Sequence, residues 1–329
     1  MSIEQKVPAI ISVGGRSSVL AVVQSEHIAA LIKTTFPHVE ETPITKYKTL
    51  GDNVLTKPLY SFGGKALWTK ELEDKLENKE LDIVVHSLKD MPTTLPQGFV
   101  LGGITKREDP SDCVVLKAGS TYKSLAELPA NSIIGTSSVR RSAQLRKTYP
   151  SLNFESVRGN LITRLRKLDD PASPFACIIL ASAGLIRQGL TDRISFTLNK
   201  DEMYHAVGQG ALGLEIRQND PIMQYVCDMI ADKNATVCCL AERALMRSLE
   251  GGCSVPIGVE SNFNESTSTL SIHGCVISVD GTEFVEASIT KHIEDVNMDS
   301  NEAGILLSAK LCELGAKEIL ESIRFDDMK

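Results

Sequence analysis

Apolar and polar positions divide this chain into short apolar runs separated by longer amphipathic stretches. Ala9 to Val13 reads as a strand, and Leu20, Val23, Ile28, Leu31 and Ile32 then mark one face of a helix running to about Phe36. A strand over about Val39 to Thr49 follows, then a glycine-punctuated loop, then a helix with Trp68, Leu72 and Leu76 at i, i+4 spacing. The run Ile83-Val84-Val85 predicts a buried strand that breaks into polar residues before Asp90, and Phe99 to Thr105 predicts another. After Lys106 to Pro110 the pattern restarts, with strands at Cys113 to Leu116, Ile133-Ile134, Asn153 to Val157 and Phe175 to Ala181. Helices to about Tyr149 and over Asn160 to Leu168 lie between them, an alternation that predicts βαβ units and mostly parallel sheets. Asp220-Pro221 opens a helix to about Ile230, with proline at its favoured first position. Beyond Thr236 the order changes to a helix ending at Ser248, strands near Val255 to Val259, Leu270 to Ile277 and Phe284 to Ile289, and a closing amphipathic helix from Ala303 to Ile323. That last part reads as α+β.

With 329 residues, the chain has room for two or three domains at ~100 to 200 residues each. A faint internal echo points to two similar halves: SVGGRSSV (Ser12 to Val19) and IIGTSSV (Ile133 to Val139) each place paired serines where a strand enters a helix. Backbone N–H groups at such a turn favour an anion, and serine N-capping of the helix is a reading that can hold at the same time. Gly208, Gly210 and Gly213 match the spacing of a dinucleotide-binding loop, but polar residues precede them and a strand, Leu212 to Ile216, follows. The segment reads instead as a crossing back from the second half to the first, its small residues allowing close passage at a hinge. The loop from Asp52 to Lys65 reads equally as a lid or as a plain surface connection.

Composition adds exclusions. Hydrophobic content of 42% and charged content of 23% suit a soluble globular protein, and no apolar run approaches the ~18 residues of a membrane span. The first residues resemble neither a secretory signal nor a transit peptide, so the expectation is a cytoplasmic protein. Eight cysteines show neither the density of a disulfide scaffold nor a C-x-x-C spacing, which predicts reduced thiols and no metal. A net charge of -7 argues against a general nucleic-acid role. Yet from Thr136 to Arg193 there are ten Lys or Arg against four acids, so something anionic belongs there. Arg146, Lys147, Arg166 and Lys167 read as a solvated helix face, whereas Arg140, Arg141, Arg158, Arg164 and Arg187 sit near strand-to-helix transitions or glycines. Guanidinium groups there suit discrete carboxylates or phosphates, which they bind bidentately.

Two stretches carry candidate chemistry. Asp90 lies just past the carboxyl end of a predicted strand, where open α/β sheets bind ligands, beside His86, Ser87 and Lys89. His86 reads as a hydrogen-bonded residue positioning that strand end. Cys253, in LEGGCSVPIG, stands between a glycine pair and a valine-proline step, either as a presented thiol or as a structural cysteine in a turn. Together with VGGRSS, GTSSVRR, RGN at Arg158 to Asn160 and AVGQGA at Ala206 to Ala211, in that order, these stretches resemble the porphobilinogen deaminase family over about Ile11 to Ile323. Gly15, Ser61, Trp68 and Leu88 depart from residues usual in that family.

The resemblance implies an α/β fold with two periplasmic-binding-protein-like α/β domains, the second inserted in the first, and a small α+β C-terminal domain. Its boundaries would be 1–105 with 207–230, 106–206 and 231–329. It also implies a transferase that joins four porphobilinogen molecules head to tail with loss of ammonia, giving hydroxymethylbilane on a dipyrromethane cofactor held by a thioether to Cys253. By the same resemblance Asp90 is catalytic, and Ser18, Ser87, Lys89, Asp90, Thr136, Ser137, Ser138, Arg140, Arg141, Arg158 and Arg164 hold the cofactor. Arg16, Lys65, Arg158, Arg164 and Arg187 meet substrate carboxylates, and the protein is a monomer. Two other readings of the residues stand beside this one: a hinged carboxylate-binding module without catalysis, and a hydrolase using Cys253 with His205 or His273.

Overall fold

A computed structural model describes residues 3–47, 70–249 and 255–323. Cys253, Lys65, Ser61, Trp68 and the Asp52 to Lys65 loop lie outside the described residues. Among the described residues there are two five-stranded sheets and one three-stranded sheet.

The first sheet comprises β1 (Val13–Arg16), β2 (Ile44–Tyr47), β3 (Ile83–Ser87), β4 (Phe99–Ile104) and β10 (Leu212–Arg217), in the order β2-β1-β3-β10-β4. β1 is parallel to β2 and β3, whereas β10 runs antiparallel to both β3 and β4. The run Ile83-Val84-Val85 is buried on both sheet faces: Ile83 and Val85 pack with α1 (Val19–Thr35), while Val84 meets Leu72 and Leu76 of α2 (Lys70–Glu77). Strand β1 starts later than the apolar pattern predicts. Pro43 has no N–H to donate, so the ladder begins only at Val13 opposite Ile44, and Ile10 makes an isolated bridge to Glu41.

The second sheet comprises β5 (Asp112–Leu116), β6 (Ile133–Gly135), β7 (Asn153–Glu155), β8 (Phe175–Ala181) and β9 (Phe196–Thr197), in the order β7-β6-β8-β5-β9. It repeats the first sheet strand for strand, with β5 in the place of β10. β5 and β10, which each follow a crossing segment, are the one reversed strand of each sheet. Each sheet is therefore mixed rather than mostly parallel: four strands point the same way, but the reversed strand makes two of the four pairings antiparallel. The echo between the two serine turns corresponds to β1 leading into α1 and β6 leading into α3 (Val139–Thr148). The second sheet is inserted between β4 and β10 of the first. Helices α4 (Leu161–Asp169) and α5 (Ser182–Arg187) follow β7 and β8, and α6 (Pro221–Ile230) returns to the first sheet, capped by Asp220 accepting from Met223 N at 3.0 Å.

The third unit packs α7 (Lys233–Ser248) and α8 (Val296–Glu313) on an antiparallel sheet of β11 (Ile257–Asn264), β12 (Thr269–Ile277) and β13 (Phe284–His292). The predicted closing helix is two helices. Gly315, at φ +100, takes the left-handed conformation and turns the chain into α9 (Ala316–Ser322). Among the described residues no helix is long and apolar enough to cross a membrane.

Candidate functional site

The carboxyl ends of β1 and β3 face those of the second sheet across a cleft: α1 and α5 are in contact, Gln209 bridges Lys89 and Asp112, and Lys89 and Asp90 lie within electrostatic reach of Arg141 and Arg164. Gly184 of α5 sits opposite Leu20 of α1, where an added Cβ would lie 3.9 Å from Leu20 Cδ2. Arg16 ends β1, Ser87 ends β3, and a single 3-10 turn, Leu88–Asp90, carries Lys89 and Asp90 into the opening. The Asp90 side chain is exposed. From the second sheet come Thr136, Ser137 and Ser138 after β6, Arg158 after β7, Arg164 on α4 and Arg187 at the end of α5.

The hydroxyls mostly shape turns. Ser18 and Ser138 are the N-caps of α1 and α3, accepting from Ala21 N and Arg141 N, each at 3.4 Å. Thr136 Oγ1 accepts from Ser138 N at 3.2 Å, Ser137 donates to Val157 O at 2.7 Å, and Ser87 is hydrogen-bonded to Gln24. His86 is buried against Glu215 of β10, with Nε2 2.7 Å from Oε2, which holds the end of β3 to its neighbour as the sequence reading expects.

Arg140 and Arg141 are both buried, and they converge on a carboxylate that pattern reading missed. Asp112 opens β5, with Oδ2 2.7 Å from Arg140 Nη2, and Oδ1 2.9 Å from Arg141 Nε and 2.7 Å from its Nη2. Burial alone would raise the Asp112 carboxyl, but the two guanidinium groups outweigh it and hold the group well below the usual carboxylate range. The available signal was a lone acid opening an otherwise apolar strand. Gln209 also donates to Asp112 Oδ1 at 3.0 Å, and its carbonyl accepts from Lys89 Nζ at 3.3 Å. One side chain of the crossing segment therefore links the two sheets.

The cleft concentrates positive charge. Burial brings Lys89 down to about 8, helped by Arg141 and opposed by Asp90 and Asp112. Arg164 falls to about 10, through burial and then Arg141, with Asp90 opposing. Arg187 is lowered by burial while its Nη2 donates to Gly210 O at 2.6 Å. Cations depressed by burial and by one another are the state an incoming polycarboxylate would relieve. The donor set therefore fits a ligand carrying several carboxylates, the dipyrromethane group included.

The close passage expected where the segments cross is present. Gly208 and Gly210 have φ of +69 and +87, and a side chain on Gly210 would overlap the Glu108 carbonyl oxygen where the two crossing segments pass. Arg107, on the outgoing segment, pairs with buried Glu242 of α7 at 2.7 Å, and Glu242 also accepts from Gly208 N at 2.8 Å, tying the hinge to the third unit. Arg146 and Lys147 are not merely a solvated face. Arg146 Nη1 donates to Val279 O at 2.9 Å, and Lys147 Nζ lies 4.2 Å from the Phe284 ring centroid, so both join α3 to the third unit.

Two family models match the chain. Residues 11–225 match the family model described as porphobilinogen deaminase, dipyromethane cofactor binding domain, and residues 236–313 match porphobilinogen deaminase, C-terminal domain. The chain is 59% identical over 326 residues to porphobilinogen deaminase of Saccharomyces cerevisiae, covering 98% of this chain and 99% of that one. It is 58% identical over 319 residues to that of Kluyveromyces lactis, covering 96% and 97%. Among solved structures, the methionine binding protein MetQ is similar over 68% of this chain and 90% of its own, at 13% identity and a TM-score of 0.41.

Proposed function

The chain belongs to the porphobilinogen deaminase family, and from that premise we propose how its cleft performs the reaction. It is a transferase of heme and tetrapyrrole biosynthesis, joining four porphobilinogen molecules into hydroxymethylbilane with loss of ammonia at each addition. When bound, the dipyrromethane group supplies an anchored primer whose terminal pyrrole carbon is the growing end. The observation that carries our assignment of roles is the place of Asp90, exposed on the turn that follows β3 and within electrostatic reach of Lys89 and Arg164.

Porphobilinogen bears an acetate and a propionate, so every addition brings two carboxylates into the cleft. Arg16, Arg158, Arg164 and Arg187 bind and orient those carboxylates, with Lys65 assisting. Ser18, Ser87, Lys89, Thr136, Ser137, Ser138, Arg140 and Arg141 hold the primer's side chains through hydroxyls, charge and the N–H groups at the starts of α1 and α3. The Asp112 pairing makes Arg140 and Arg141 a preset cationic floor, aligned before any ligand arrives. Loss of ammonia from the substrate's aminomethyl carbon leaves a cationic pyrrole. Asp90 stabilises that cation, accepts from pyrrole N–H groups, and takes the proton released once the new carbon–carbon bond has formed. Cys253 is the thioether anchor. The same reading divides the chain at 1–105 with 207–230, 106–206 and 231–329, and places a monomer in the cytoplasm with no nucleic-acid or membrane partner.

The intact mass of the denatured, freshly purified chain, beside a Cys253→Ser variant from the same host, tests this directly. The expected result is a wild-type excess of two porphobilinogen units less two ammonias, absent from the variant. An unmodified wild-type chain from a host that makes the substrate would overturn the covalent primer and leave a carboxylate-binding module.

A further inference from the structure

The Asp90 carboxylate accepts no hydrogen bond among the described residues, so the backbone on either side of it must fix its place. Upstream, β3 and the bond from Leu88 N to Ala211 O at 3.0 Å anchor the turn. Downstream, residues 91–98 belong to no helix or strand, and Pro92 has no N–H with which to join a ladder. The carbonyls of this stretch are gathered by a different unit. Arg243 Nη1 donates to Met91 O at 3.1 Å and Nη2 to Pro92 O at 2.6 Å, and Arg247 Nη1 donates to Thr93 O at 3.2 Å.

Both arginines stand on α7, four residues apart and so on one face. Arg243 is 4% exposed and Arg247 is exposed. α7 ends at Ser248, and Cys253 follows closely in the sequence. The same helix therefore grips the chain leaving Asp90 and leads into the stretch that bears the cysteine. A guanidinium fork can serve two successive carbonyls at once, which a lysine ammonium cannot do with the same geometry.

We propose that Arg243, seconded by Arg247, is a positioning residue that ties the Asp90 turn to the helix preceding Cys253 in the sequence, and so sets the carboxylate's place in the cleft. The inference rests on the roles given above to Asp90 and Cys253. Arg243 touches no reacting atom in this scheme; it acts through the backbone of residues 91–93.

The test uses the full-length enzyme with Arg243→Lys, Arg243→Gln and Arg247→Ala, and three readouts. These are the cofactor-loaded fraction by intact mass, kcat and KM for porphobilinogen per loaded chain, and hydrogen exchange of residues 88–93. Misplacement by about 1 Å costs on the order of a hundredfold, so Arg243→Gln is expected to lower kcat per loaded chain by roughly tenfold to a hundredfold, with KM within about twofold. Arg243→Lys should recover part of that loss, and exposed Arg247→Ala should lose about twofold to fivefold, with faster exchange at residues 88–93 in each. If Arg243→Gln fails to fold, the lysine variant and Arg247→Ala decide the matter. Unchanged kcat per loaded chain in those two, with only loading or thermal stability reduced, would overturn the proposal as a fold contact and no more. A wild-type chain without the added mass, or full turnover by Asp90→Ala, would instead remove the underlying assignment, whatever the arginine variants do.

Discussion

Replacing Asp112 by asparagine keeps the side chain's size and one acceptor but removes the negative charge between two buried guanidinium groups. In the wild type three Arg–carboxylate contacts of 2.7, 2.9 and 2.7 Å converge on it, with Gln209 as a further donor at 3.0 Å. Removing one partner of a buried pair costs about 3 to 5 kcal/mol, because the remaining charge stays desolvated. Asparagine still accepts one bond, which places the expected loss near ~3 kcal/mol. At ~2 to 4 °C per kcal/mol for a body of this size, that is a Tm lower by about 6 to 12 °C. Urea titration followed by far-UV circular dichroism, with calorimetry beside it, would measure both. The pH dependence has a definite sign. Asp112 is held below its unfolded value of ~3.9, so its contribution is fully present above that pH and is lost as pH falls through the folded value. The gap between wild type and variant should stay constant from about pH 6, below the range in which Lys89 titrates, down to about 4 and close only below it. A loss under ~1 kcal/mol at pH 7, or a gap that changes between about pH 6 and 5, would refute the reasoning.

Four further outcomes are expected. Asp90→Ala should fold with stability within ~0.5 kcal/mol of wild type, since the side chain is exposed, while ammonia release falls nearly to nothing; near-normal release would remove Asp90 from the chemistry. Lys89, at about 8 before any ligand binds, holds the primer's carboxylates in its protonated form, so loading of the cofactor-free chain, read by intact mass, should weaken above about pH 8 in the wild type. Lys89→Met should start from lower loading and lack that further fall. Buried His205 is lowered to about 4 from an unfolded value of ~6.5, so its neutral form contributes stability that is full above ~6.5 and fades as pH falls toward 4. His205→Gln should flatten that part of a stability-against-pH curve measured by urea titration. Gly210→Ala, at φ +87 and against the Glu108 carbonyl, should cost more than ~1 kcal/mol and lower Tm; an unchanged Tm would mean the crossing segments separate easily.

Much of the fold was legible because periodicity is a local property. The run at Ile83 to Val85, the strand Phe175–Ala181 and the helix capped at Asp220-Pro221 appear where pattern placed them, since burial on both sheet faces or a proline at a helix start leaves its mark on adjacent residues. The doubled serine turns marked two equivalent β-to-α junctions for the same reason. Boundaries moved where a neighbouring strand decided them, as Pro43 did for β1, or where one left-handed glycine divided a helix at Gly315.

By itself, then, the sequence determined the class of the protein: its alternating elements, its basic middle segment, its motifs in family order and the residue types its chemistry requires. Tertiary structure alone decided which of those groups meet. Asp112 is 29 residues from Arg141 and 97 from Gln209, and Met91 is 152 from Arg243. No local pattern encodes such pairings. They follow from the inserted sheet, which brings the carboxyl ends of both parallel sets of strands to one cleft, and from the third unit's helix lying against the turn that carries Asp90. The energetic reason is burial: away from water each charge and carbonyl must find a partner, and only the completed fold puts one within reach.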